Sequence, residues 1–258
     1  MTSVAAAVAS PQTDVLGVEI FAGTFSGAVD TVVERARSGH GGYVVQCNVH
    51  VLMTAHDDPE LMRALHDAWL VMPDGAPIAW LQRRLGAATA ERVGGPDLMP
   101  SVIDRGRRHG LRHFFVGSTP ETLQALVTGL EACFPGVELV GAHSPQFGTP
   151  AELAGAAEVA AAAAPNVVWL ALGAPKQELW MHKHAMSLAP AVVIGVGAAF
   201  DFQAGAKARA PEWARRGGLE WAHRLTREPR RLTGRYVRTN SAFVLRSGAC
   251  LARRHGLM

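Results

Sequence analysis

The sequence predicts an α/β protein: a mostly parallel sheet covered by helices on both faces, Rossmann-like, with a basic helical appendage at its C-terminal end. Three observations predict it. Near-continuous apolar runs at residues 43–47, 166–172 and 191–196 read as strands buried on both faces, which requires helices above and below them. Those runs alternate with helical stretches, the pattern of a parallel sheet built from crossovers. The charge is also divided. Residues 1–205 carry 12 Lys/Arg against 19 Asp/Glu, a net −7, and residues 206–258 carry 13 against 3, a net +10, within an overall +3. A basic segment of that density calls for an anionic partner.

The elements follow in order. Residues 1–13 are rich in Ala, Ser and Val without a basic stretch ahead of the apolar residues, so they read as a disordered leader and not as a secretory signal. Tyr43-Val44-Val45-Gln46-Cys47 is a buried strand. Residues 51–68 are helical with a break at Asp57-Asp58-Pro59, and 69–72 form a strand that stops at Pro73. Residues 75–85 and 96–109 are helical, and 113–117 are a strand. Residues 119–133 are a helix, with Pro120 in its first turn and Ser118 as the candidate cap. A strand at 138–141 and an alanine-rich helix at 150–164 precede the last two apolar strands. The 48% apolar content supplies one large core, so the catalytic domain is placed at 14–205 and the appendage at 206–258.

Several classes of chemistry are disfavoured. Cys47, Cys133 and Cys250 are widely spaced and form no CxxC, against a disulfide framework or a cysteine zinc site and in keeping with a reducing cytosol. No 18-residue apolar run is present, so no membrane-crossing helix is expected. HExxH, DxD, P-loop and GxSxG patterns are all absent. His182 and His184, two apart on a helix, face different ways. The expectation is therefore neither metal nor cofactor.

The candidate site residues lie in loops after strands, where α/β proteins place their chemistry. Asp74, between a strand and Gly75, is suited to act as a general base, although the spacing alone favours a helix N-cap. Arg92, in Glu91-Arg92-Val93-Gly94-Gly95, is suited to bind phosphate, with a salt bridge to Glu91 an equal reading. In Leu172-Gly173-Ala174-Pro175-Lys176-Gln177-Glu178, Lys176 and Gln177 are candidates for phosphate or sugar, and Glu178 for the helix N-terminus. A lysine in a first helical turn opposes the dipole, which hints at an anionic ligand. Gly195-Val196-Gly197 is half a dinucleotide fingerprint, with Asp201 too near to be its ribose acid but able to reach a ribose or a base. In the tail, Trp213, Leu219, Trp221 and Leu225 stand among Arg215, Arg216, Arg224 and Arg227. Beyond Pro229, Arg231, Arg235 and Arg238 share one helix face. That is the pattern of an amphipathic helix pair on anionic lipid, with nucleic acid as runner-up and packing on the protein's own acidic body as the bland alternative.

Taken together, these motifs resemble the WecG/TagA/CpsF family of bacterial glycosyltransferases over residues 43–236. The resemblance rests on Asn48, Asp74-Gly75, Glu91-Arg92-Val93 with Gly95, and Leu172-Gly173 with Pro175-Lys176-Gln177-Glu178. It rests further on Gly195-Val196-Gly197 with Phe200-Asp201, Arg209-Ala210-Pro211, Gly218-Leu219-Glu220-Trp221, and Arg224-Leu225 with Glu228-Pro229. It implies a GT-E fold and an inverting, metal-independent transfer from a UDP-sugar to an undecaprenyl-diphosphate-linked sugar. The enzyme would then be cytoplasmic and peripheral on the inner membrane face, with no nucleic-acid partner and homo-oligomerisation left open. By position it implies Asp74 as base, Asn48, Arg92 and Gln177 as active-site residues, Asp201 as a nucleotide contact, and Arg224 and Arg231 as arginines that close over the diphosphate. Gly75, Gly173, Lys176, Glu178 and Gly197 would line the substrate site. Gln46 stands where the family often has Thr, and Gly234 where it has a later tail arginine. The alternatives from other classes are an NAD(P)-dependent oxidoreductase, argued from Gly195-Val196-Gly197, and a non-catalytic adaptor, argued from the tail.

Overall fold

The computed structural model describes residues 10–145, 149–216, 220–227 and 229–254, with side chains throughout except at Pro150 and most positions from 215 to 235. It contains a six-stranded sheet of β3 (Gly42–Cys47), β4 (Leu70–Pro73), β5 (Arg112–Gly117), β6 (Glu138–His143), β7 (Val167–Ala171) and β8 (Val192–Gly195). The spatial order is β4-β3-β8-β7-β5-β6, and every neighbouring pair is parallel. Residues on the two faces of each strand feed two separate cores. Val45, Cys47, Val168, Leu170 and Val193 join one, and Val44, Val167, Trp169, Val192 and Ile194 join the other. This double burial is what the continuous apolar runs require.

The connecting helices are α1 (Phe25–Ser38), α2 (Val49–Asp57), α3 (Pro59–His66), α4 (Ala76–Arg84), α5 (Gly95–Arg107) and α6 (Pro120–Cys133). They continue with α7 (Pro150–Ala162), α8 (Lys176–His184) and α9 (Ala199–Gln203). The break expected at Asp57-Asp58-Pro59 is real: Asp58 caps α3 through Glu60 and Leu61, and Pro59 occupies its first turn. The cap of α6 is Thr119, which accepts from Thr122; Ser118 takes φ +61° at the strand exit instead. A two-stranded antiparallel hairpin, β1 (Gln12–Val15) and β2 (Val18–Phe21), precedes the sheet and begins inside the stretch assigned to the leader.

The basic tail forms α10 (Glu212–Arg216), α11 (Glu220–Arg227) and α12 (Pro229–Arg254). The last of these is docked on the body. Phe243 is buried in the first core, Ala242 and Leu251 pack against it, and α12 runs along α2. Arg238 pairs with Asp57 at 2.9 Å, and Arg254 donates to the Leu85 carbonyl. Part of the tail therefore does pack on the acidic body, as the bland reading has it. Trp221 meets Tyr236 edge-on across α11 and α12, ring centroids 6.2 Å apart. None of the described helices is long and apolar enough to cross a membrane.

His113, on β5, is fully buried, and its Nδ1 accepts from the indole N–H of Trp169 on the neighbouring β7 at 3.2 Å. Burial lowers its pKa from 6.5 to about 3. The unfolded chain thus binds a proton at pH values where the folded one does not, so stability falls as pH falls below 6.5. The expected slope is about 1.4 kcal/mol per pH unit down to about 3. Urea unfolding at pH 7, 6 and 5 should show this slope reduced in His113→Gln. An unchanged slope would remove His113 as its source.

Candidate active site

Four adjacent strands each deliver a candidate residue to one edge of the sheet: Asp74 after β4, Asn48 after β3, Gly197 after β8, and Gln177 after β7. At the usual ~4.8 Å between strands, the four ends span about 14 Å, the dimension of a small-molecule site.

Asn48 sits between β3 and α2 in an extended conformation and uses both ends of its amide. Its Oδ1 accepts from the Val51 N–H at 3.1 Å, capping α2, and its Nδ2 donates to Asp74 Oδ2 at 3.3 Å. Asp74 is itself tied to the neighbouring strand, since its N–H donates to the Cys47 carbonyl at 2.9 Å. The helix-cap reading of Asp74 is corrected. The N-cap of α4 is Gly75, at φ +112° with no side-chain cap, and the half-buried Asp74 carboxylate is engaged by Asn48.

The loop carrying Arg92 lies across the same edge. The Val93 N–H donates to the Pro73 carbonyl at 2.8 Å. A side chain at Gly95 would meet the Val196 carbonyl at 2.9 Å, so glycine allows the loop to rest on the end of β8. A Cβ at Gly94 would lie 2.9 Å from Arg92 Nη2 and 3.3 Å from Asp74 Oδ1, which puts guanidinium and carboxylate around one point. The pairing of Arg92 with Glu91 is also corrected: Glu91 accepts from the Phe25 N–H at the start of α1, 2.7 Å away. Arg92 Nη2 instead lies 3.5 Å from Asp97 Oδ2, and Arg209 Nη2 lies 2.9 Å from Asp97 Oδ1. One carboxylate thus braces two guanidiniums beside an open cleft of about 490 Å³ lined also by Phe25, Pro96 and Gln203. In the sequence Asp97 is marked only by falling within the helical stretch 96–109. Arg209 carries a signal, in Arg209-Ala210-Pro211, but its partner lies 112 residues away.

Gly173 takes φ +77°, and its carbonyl accepts from the Gln177 N–H at 3.0 Å as α8 begins. Lys176 projects into solvent at this turn. Gln177 and Glu178 are buried. Gln177 Nε2 donates to Glu178 Oε1 at 2.8 Å, while Gln177 Oε1 and Glu178 Oε2 have no partner among the described residues. Glu178, a candidate for the helix N-terminus and for the substrate wall, is fully enclosed; desolvation raises its pKa to about 7 against the lowering effect of the Gln177 bond. Gly197 lies at φ +52° after β8. Asp201, in the five-residue α9, pairs with Lys207 at 2.8 Å. Gln46 is enclosed below the edge, its Nε2 3.8 Å from Met72 Sδ. The side chains of Arg224 and Arg231 lie outside the described residues. Among the described residues, no three His, Cys, Asp or Glu side chains group as a metal site.

Comparison with known proteins gives two similarities. The model of the glycosyl transferase WecG/TagA/CpsF family matches residues 13–256, beyond the 43–236 covered by the motifs. The chain is 30% identical over 191 residues to an N-acetylglucosaminyldiphosphoundecaprenol N-acetyl-beta-D-mannosaminyltransferase of Bacillus spizizenii, covering 74% of this chain and 73% of that protein.

The raised pKa of Glu178 fixes a sign. The folded protein keeps this proton up to about pH 7, whereas the unfolded chain releases it near 4.5. The associated stability is fully present below pH 4.5 and is lost as pH rises through 7, a change on the order of 3 kcal/mol. This slope opposes that of His113, so each is read as a difference between variant and wild type. Denaturant unfolding of Glu178→Gln from pH 4.5 to 7.5 should lack the loss; an identical profile would place the proton elsewhere.

Proposed function

The chain belongs to the WecG/TagA/CpsF family of glycosyl transferases, and on that premise we propose an inverting, metal-independent transfer of a sugar from a UDP-sugar to an undecaprenyl-diphosphate-linked sugar. The product would feed a bacterial surface polysaccharide or cell-wall polymer. The observation that carries this reading is the Asp74 carboxylate at the strand edge, held by the Asn48 amide and facing the same point as Arg92.

The chemistry follows from those groups. An acceptor hydroxyl gives its proton to Asp74 as its oxygen bonds to the anomeric carbon; the bond from that carbon to the UDP oxygen breaks in the same displacement. Asn48 keeps the carboxylate aimed without neutralising it. Negative charge growing on the departing diphosphate is met by guanidinium groups in place of a divalent ion, with Arg92, Arg224 and Arg231 in that role. Lys176 and Asp201 are assigned to the nucleotide, and Gln46, Gly75, Gly173 and Gly197 to the walls of the site. The +10 segment and the exposed Trp213, Val244 and Leu245 support docking of residues 206–258 on the anionic inner face of the membrane, where such an acceptor resides.

Asp74→Asn should lower UDP release with a lipid-diphosphate acceptor by roughly 10²–10⁴-fold while UDP affinity stays near wild type. Full turnover by that variant would remove Asp74 from the mechanism. Activity should also persist in EDTA. Loss in the chelator, restored by magnesium or manganese, would overturn the metal-independent reading.

A further inference from the structure

Gln177 and Glu178 are consecutive, both buried, and bonded to each other through Nε2 and Oε1 at 2.8 Å. A primary amide has a donor side and an acceptor side, and both oxygens of a carboxylate, the form Glu178 takes above about pH 7, can only accept. Glu178 Oε1 therefore takes the N–H side of Gln177 and turns its carbonyl away. That carbonyl oxygen is enclosed, has no partner among the described residues, and faces Gly197, where a Cβ would stand 3.9 Å from it. A Cβ at Gly195 would lie 2.9 Å from Met181 Cε, 3.1 Å from Gln177 Nε2 and 3.2 Å from its Cδ, so glycine at the strand end leaves room for both side chains. A buried acceptor with no partner is costly unless a ligand supplies the donor.

We propose that Glu178 is a positioning residue that locks the Gln177 amide with its N–H side inward, so that Gln177 Oε1 receives a hydroxyl or amide N–H of the bound sugar. The inference rests on the transferase reading for its substrate, but not for the amide's orientation. Glu178 touches no substrate itself. It makes the site select a sugar substituent that donates a hydrogen bond, and makes a substituent that only accepts one unfavourable there.

The test is a residue swap. At a pH above 7, where Glu178 is ionised, Glu178→Gln, nearly isosteric, frees the amide to turn and should lower kcat/KM on the order of 10-fold, the scale of one lost hydrogen bond. Gln177→Glu sets two carboxyl groups in contact and should lose more. The double variant Gln177→Glu/Glu178→Gln restores an acceptor facing the sugar and a donor facing inward, and should recover to within a few-fold of wild type. The rise in KM falls on the sugar nucleotide if the contacted group belongs to the donor, and on the lipid-linked sugar if it belongs to the acceptor. Wild-type kcat/KM in Glu178→Gln, or no recovery in the swap, would overturn the proposal. Should a variant fail to fold, 15N spectra of glutamine-labelled wild type decide the matter. The Gln177 side-chain amide protons should be protected from solvent exchange; free exchange would overturn the proposal. A protein without transferase activity but with protected protons would sink the functional reading and leave the orientation standing.

Discussion

Parallel pairing is the constraint from which the site follows. When β4, β3, β8 and β7 run side by side in one direction, every segment leaving them emerges at the same edge, and residues 48, 74, 177 and 197 become neighbours. Short backbone bonds then hold those exits in place: Asp74 to Cys47, Val93 to Pro73, and Val196 to Leu170. The Asn48 amide adds a polar link, since one side chain ends a helix and aims a carboxylate. A site assembled this way depends little on any single loop, because each segment is anchored to a strand in the core.

Electrostatics at this edge is arranged by burial as much as by charge. Asp74 and Arg92 stand half-buried where a ligand can reach them, whereas Glu178 is withdrawn into the core and titrates near neutrality. Two carboxyl groups close in the fold thus have different work: one open to a substrate hydroxyl, the other fixing an amide. Asp97 has a third role, bracing Arg92 and Arg209 on the rim.

The parallel sheet and the loops that carry the chemistry are legible in the sequence because apolar runs ending at Pro73, Gly173 and Gly197 signal buried strands and their exits. The hairpin at 12–21 is harder to read. Its strands are four residues long, and its turn uses Leu16 at φ +55° before Gly17, not a familiar Asn-Gly pair. Helix α1 carries a readable signal, Thr24 capping a stretch with Val29, Val32, Val33 and Ala36 on one face, yet the sequence reading assigns it nothing. The shift of the α6 cap from Ser118 to Thr119 is a one-residue matter decided by the strand exit. What spacing cannot convey is pairing across the chain: Arg209 with Asp97, Phe243 with the core, Asn48 with Asp74. The burial of Glu178 is equally hidden, since a glutamate in a first helical turn ordinarily faces solvent.

The most direct test of the account is a double-mutant cycle between Asn48→Ala and Asp74→Asn, read as kcat/KM for sugar transfer. If the Asn48 amide serves the reaction by holding the Asp74 carboxylate, its removal should be costly in the wild-type background and nearly silent once Asp74 is Asn. Losses that simply add, with each residue costing the same in either background, would contradict the account and separate the two residues that it joins.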